Sequence, residues 1–177
     1  MRFSLRRLFE VVAVIAIALA LLMSLTTDYR KRLAIRSDLQ RMGAYYVHIS
    51  DSNSFSASFH VPVSSPDIAK YRGQLKGLDF RKAHVTDESL KNISGLENVG
   101  IVIFSWSDVR DDQLRLLKNF RKVRVLWLSH TQLTDACVDA ILEVPGLEIV
   151  RVNGSRITER GIERLKKARE SLTVQTQ

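Results

Sequence analysis

In this 177-residue chain, nine residues stand out by type and spacing as candidates to ligate a metal or to act as acid, base or nucleophile. They are His48, His60, His84, His130, the single Cys137, and four acids, Asp87, Asp111, Asp135 and Glu159, that recur every 24 residues. A metal site needs ligands converging to about 2 Å from one ion. His84 and His130 belong to segments two periods apart, so strands about 4.8 Å apart would hold their backbones roughly 10 Å from each other. His48 and His60 fall on the arms of an expected hairpin whose register does not set them opposite. The acid column could bind cations as a ladder. Each acid, however, stands at the start of an expected helix, where the dipole favours negative charge, and capping accounts for the column. Cys137 alone forms no intramolecular disulfide, so oxidising and reducing compartments both stay open. There is no phosphate-cradling glycine loop, nucleophile elbow or paired-cysteine ligand set. The expectation is a protein that is not an enzyme and carries no metal and no cofactor.

Charge excludes a further class. The formal net charge is +8, but residues 1–44 hold eight Lys or Arg against three acids, whereas residues 45–177 hold nineteen against sixteen. The folded part is only mildly basic, so no nucleic-acid partner is expected. The cluster of Arg160, Arg164, Lys166, Lys167 and Arg169 reads as a solvated helix face, with a polyanion site as the sharper alternative.

The front of the chain has its own character. Residues 8–25 read LFEVVAVIAIALALLMSL, with Glu10 the one charge and Ser24 the one other polar residue. At about 1.5 Å per residue these 18 residues reach roughly 27 Å, close to the hydrocarbon thickness of a bilayer. Residues 1–27 therefore read as a single-pass transmembrane helix. Arg2, Arg6 and Arg7 before the run face Arg30, Lys31, Arg32 and Arg36 after it, so the positive-inside rule does not set the orientation. The expectation is an uncleaved signal anchor with the remainder exported and extracytoplasmic. Ala18-Leu19-Ala20 keeps a cleaved signal peptide open as a second reading. Residues 28–44 read as a basic amphipathic stalk, with Ile35, Leu39, Met42 and Tyr46 at helical spacing.

Residues 75–170 superimpose on themselves four times without a gap, as 75–98, 99–122, 123–146 and 147–170. Each segment opens on an apolar triplet: Leu75, Leu78, Phe80; Val99, Val102, Phe104; Val123, Leu126, Leu128; Leu147, Val150, Val152. Val85, Val109, Leu133 and Ile157 follow. Apolar residues three apart come after the acid column, as in Leu90, Ile93, Leu96. The pattern predicts a short strand, a bend and a short helix per turn. Thr86, Thr134 and Thr158 stand at the N-cap positions, while Arg110 interrupts that column and leaves Asp111 as the expected cap. One turn cannot bury its own apolar face, so the core has to come from stacking.

In these residues the chain resembles the leucine-rich repeat family, and its layout is similar to short membrane-anchored repeat proteins of bacteria. The family's strand-end asparagine is replaced by Ala83, Ser107, Thr131 and Ser155. The resemblance implies an α/β fold, a right-handed solenoid of four 24-residue strand-helix turns with a parallel sheet on its concave face. Residues 45–74 read as an N-terminal cap: a hairpin with Val47 and Ile49 on one arm, a turn at residues 51–54, Phe55, Ala57, Phe59 and Val61 on the other, then a helix started by Ser65-Pro66-Asp67. In the tail, residues 171–177, Leu172 and Val174 suggest a closing strand.

The resemblance also implies that partners bind the concave face. The outward columns there are Gly77, Ile101, Val125, Ile149 and Asp79, Ile103, Trp127, Arg151, with Arg81, Ser105, Ser129, Asn153 and Lys82, Trp106, His130, Gly154 beyond them. Ile101, Ile103, Trp106, Val125, Trp127, His130, Ile149 and Arg151 form the expected protein-binding site. So apolar a surface marks either an interaction site or a place covered by the hairpin, stalk, tail or membrane. The functional expectation is a membrane-anchored module that binds a protein or peptide. The alternative is an envelope-associated structural protein whose apolar face is satisfied in its own homo-oligomer.

Overall fold

The computed structural model describes residues 5–49, 55–59, 66–71 and 73–177, which fall into two compact units, Met1–Ser37 and Asp38–Gln177. Most of the first unit is helix α1 (Leu5–Arg41). Residues 12–25 are exposed all round, and α1 is one helix long and apolar enough to cross a membrane. It continues past the expected anchor boundary at residue 27. No proline or glycine interrupts it there, the hydroxyls of Thr26 and Thr27 donate back to the Met23 carbonyl (2.9 and 2.8 Å), and Arg32 pairs with Asp28 one turn earlier.

The stalk expectation is corrected at its end. Helix α1 stops at Arg41, and Gly43, at φ 99°, turns the chain into strand β1 (Ala44–Ile49). The helical stripe therefore ends at Met42, and Tyr46 belongs to a strand, paired with Ser58. Leu39 and Met42 are buried in the second unit, and Asp38 accepts hydrogen bonds from Lys70 and from the Tyr71 hydroxyl.

Strand β1 pairs antiparallel with β2 (Phe55–Phe59), giving the expected hairpin, with His48 opposite Ser56. The turn at 51–54, His60, Val61 and Ser65 lie outside the described residues. Pro66–Tyr71 forms a 3-10 helix rather than an α-helix. Then come β3 (Leu75–Asp79), β4 (Ile101–Ile103), β5 (Val125–Trp127), β6 (Ile149–Arg151) and β7 (Thr173–Gln175). All seven strands form one sheet in sequence order, with β2 to β7 parallel. Gly77, Ile101, Val125, Ile149 and Thr173 are successive partners across β3 to β7, so the spacing in sequence becomes vertical registration in space. Both ends thus extend the sheet, the hairpin through β2 and the tail through β7.

Core residues come from the columns the repeat singles out. Phe59, Phe80 and Phe104 stack with ring centroids 5.5 and 5.4 Å apart, and Leu128 and Val152 continue the row, buried. The small residues in place of asparagine act within their own turn. Thr131 and Ser155 donate to the strand-end carbonyls of Leu128 and Val152 at 2.7 Å, closing the bend locally.

The return segments differ in helix type. Asp87–Ile93 (α2) and Glu159–Ala168 (α4) are α-helical, Gln113–Asn119 is 3-10, and Asp135–Cys137 is a 3-10 turn running into α3 (Val138–Leu142). Thr86, Thr134 and Thr158 cap as expected, accepting from Ser89, Ala136 and Gly161 N–H groups. Asp111 does not cap its own helix. Its carboxylate accepts from the backbone N–H and hydroxyl of Thr134 in the next turn (2.9 and 2.7 Å), and Asp135 does the same for Thr158 (2.8 and 2.7 Å). Each of these threonines accepts from its own helix and donates to the turn below, which makes Asp111 and Asp135 inter-turn staples rather than caps. Where Arg110 replaces threonine, its guanidinium reaches Asp87 (3.0 Å), and the buried Gln113 takes over the bridging. Gln113 donates to Asp87 (2.7 Å) and to the Val85 carbonyl (3.1 Å) and accepts from the Arg110 N–H (3.0 Å).

Candidate functional site

The strands present alternate residues to opposite faces. Val102, Leu126 and Val150 go to the core, while Ile101, Ile103, Val125, Trp127, Ile149 and Arg151 line the open face. Ile101 is 43% exposed and Trp106 57%, His130 is exposed, and the other five expected site residues are half-buried by their neighbours along the sheet. Neither the hairpin strands nor the tail strand lies over this face, since both are spent on extending the sheet.

The bend after each strand supplies an arrangement that the columns did not reveal. Lys82, Trp106 and His130 have φ of 58°, 64° and 56°, and Gly154 completes the column at 67°. A left-handed backbone costs a non-glycine residue about 1–2 kcal/mol. It is held here by inter-turn hydrogen bonds, from Trp106 N–H to the Ser129 carbonyl (3.0 Å) and from His130 N–H to the Asn153 carbonyl (2.8 Å). This conformation brings the side chains of successive turns face to face. The Trp106 and His130 rings stack at 4.0 Å between centroids with an interplanar angle of 18°. Beneath them Gly154 leaves the space His130 needs: a Cβ there would sit 2.8 Å from His130 Cε1 and closer still to Nδ1.

Trp127 is held from the other side. The Arg151 guanidinium lies over its ring at 4.5 Å, and Arg151 Nε donates to Gln175 of β7 at 2.9 Å. The tail thus fixes the arginine, and the arginine fixes the indole. The two tryptophans are ordered in different ways, one by a ring and one by a cation.

The open face also extends beyond the expected residues. Ser56, Ser58, Gly77, Asp79 and Arg81 join Ile101 and Ile103 around a shallow depression of about 230 Å³. Asp79 is largely buried and accepts from Arg81 Nε (2.9 Å), Nη2 (2.7 Å) and the backbone N–H (2.9 Å), with the Ser58 hydroxyl at 3.4 Å. Gly77 floors the depression, and a Cβ on it would meet Ser56 Oγ at 2.7 Å. Gly77 and Asp79 stand in the same columns as the expected site, so carrying those columns one turn back would have found them, whereas Arg81 belongs to the column of Ser105, Ser129 and Asn153. The serines of β2 carry no repeat signature, and only the β2–β3 pairing sets them beside the site.

Among the described residues, the remaining reactive side chains do not converge. His84 contacts Asp108, whereas His130 is stacked on Trp106. Hydrogen bonds from Gln113 and then Arg110 hold Asp87 below the usual carboxylate range, and those from Thr158 do the same for Asp135. Cys137 is buried, and desolvation together with the nearby Asp111 pushes its thiol up to about 12.

The geometry is that of an α/β solenoid: a parallel sheet on one side, short helices on the other, and an apolar stripe along the open face. No family model matches the sequence, and no curated protein matches it. Among solved structures the chain is similar to an internalin (inlF) from Listeria monocytogenes str. 4b F2365, at 15% identity and a TM-score of 0.42, covering 64% of this chain and 38% of that one. The chain therefore spans well under half the length of that protein.

Proposed function

We propose that the chain is a leucine-rich repeat module of four 24-residue turns, wound right-handedly, held at a membrane by α1, and binding a protein or peptide on the open face of its sheet. In this reading it is not an enzyme and needs no cofactor. The repeat assignment is supported by parallel pairing in unbroken 24-residue register from Gly77 to Thr173. Membrane attachment is supported by residues 12–25, whose apolar side chains are uncovered by protein.

The observation that carries the binding reading is the exposed run of Ile101, Trp106 and their neighbours, with both flanking segments used to lengthen the sheet instead of covering it. Apolar surface left in this state marks an interaction site. The depression of about 230 Å³ is smaller than the ~300–1,000 Å³ of pockets that enclose small molecules, which favours a peptide or protein surface over a free metabolite. A photo-crosslinking residue placed at Ile101, with Lys118 on the return segment as control, tests this in intact cells. An adduct from position 101 and none from 118 is expected. Equal labelling at both positions refutes the reading, and an adduct of twice the chain's mass assigns the face to self-association.

A further inference from the structure

The charges around the open face identify the chemistry of its occupant. In register across the sheet, the third-position column runs Ser56, Gly77, Ile101, Val125, Ile149, Thr173, and the fifth runs Ser58, Asp79, Ile103, Trp127, Arg151, Gln175. The apolar stripe is thus centred on β4 and β5. At the β3 end it is bordered by Arg81, 53% exposed, and the exposed Lys82, and at the β6 end by Arg151. Asp79 is the one carboxylate in these columns among the described residues, and Arg81 chelates it, so its charge is neutralised locally. Arg151 is held by an uncharged amide and an indole face, so its positive charge is not cancelled. The surface reads cation, apolar, cation along the stack.

From β3 to β6 there are three inter-strand steps of about 4.8 Å, or roughly 14 Å. An extended peptide covers about 13 Å in four residues and turns every second side chain to the same face. Resting on the binding reading above, we propose that the occupant is an extended peptide segment of the form acid-x-apolar-x-acid. Its two carboxylates meet Lys82 at one end, where the Arg81–Asp79 pair is neutral, and Arg151 at the other, and its apolar side chain lies between Ile103 and Trp127.

The test uses the full chain in detergent micelles and fluorescently labelled peptides containing Glu-Ser-Leu-Ser-Glu, Lys-Ser-Leu-Ser-Lys, Glu-Ser-Ser-Ser-Glu, or Leu with both glutamates on one side. Fluorescence polarisation is expected to rank the first peptide tightest, with affinity falling as salt increases. Lys82→Glu is expected to weaken it by about fivefold or more, Arg151→Gln to weaken it less, and Lys167→Glu on α4 to leave it unchanged. Failure of the first peptide to bind, equal binding of the lysine peptide, or indifference to Lys82→Glu overturns the proposal. If one of these occurs while Ile101 still crosslinks a partner, the charge argument is wrong and the binding face stands. If the Ile101 adduct is absent as well, both fall.

Discussion

Replacing Gly154 with alanine puts a methyl group where the His130 ring already lies, 2.8 Å from Cε1, on a backbone at φ 67°. The left-handed conformation alone costs alanine about 1–2 kcal/mol. Evicting the ring also loses the Trp106–His130 stack, worth about 0.5–1.5 kcal/mol for an aromatic pair. Gly154→Ala is therefore expected to destabilise the repeat domain by roughly 1.5–3.5 kcal/mol, or on the order of 5–12 °C in Tm for a domain of this size. In a His130→Ala background the methyl has nothing to strike, and only the backbone cost of about 1–2 kcal/mol remains. Thermal melts of wild type, both single variants and the double variant, followed by circular dichroism and by tryptophan emission, close the cycle. A coupling of about 0.5–1.5 kcal/mol between the two positions is expected, with Trp106 emission changing in both single variants. If Gly154→Ala lowers Tm equally in both backgrounds, the glycine does not serve the ring and the account of the stack is refuted.

Asp135→Ala removes the staple on Thr158, and because Asp135 titrates below its ordinary value when folded, its contribution is present above about pH 4 and lost as pH falls through that lowered value. The Tm deficit of the variant should be constant from pH 5 to 8, in the range of ordinary assay conditions, and should narrow in acid; a deficit that grows on acidification contradicts the linkage. Cys137, buried and with its thiol pushed up to about 12, should resist a disulfide-exchange reagent at pH 8 in native protein and react at once in denaturant. Rapid native labelling would mean that the third turn opens or packs differently.

Much of the core was legible before folding because four turns repeat the same demand. Residues such as Val102, Leu126 and Val150 each have to face inward, and a period of 24 lines them up whatever the rest of the chain does. The threonine caps were legible for the same reason, since a cap and the N–H that donates to it lie within three residues. The third- and fifth-position columns of the open face followed from strand alternation, which is why Ile101 and Ile103 could be named from the chain, whereas Trp106 lies beyond β4.

Interactions between turns were not legible, because their partners lie 23 to 28 residues apart and meet only after stacking. Asp111 looked like a cap and is a staple on Thr134. Gln113 had no assigned role and bridges two turns where Arg110 breaks the column. The left-handed bend at Trp106 and His130 carries no glycine to announce it, and it is held by hydrogen bonds to the neighbouring turn. The amino acid order determined which residues face inward and which face out. Stacking decided which outward residues touch, how Arg151 orders Trp127, and that the serines of β2 border the candidate site, since those contacts depend on the sheet's registration and on no local pattern.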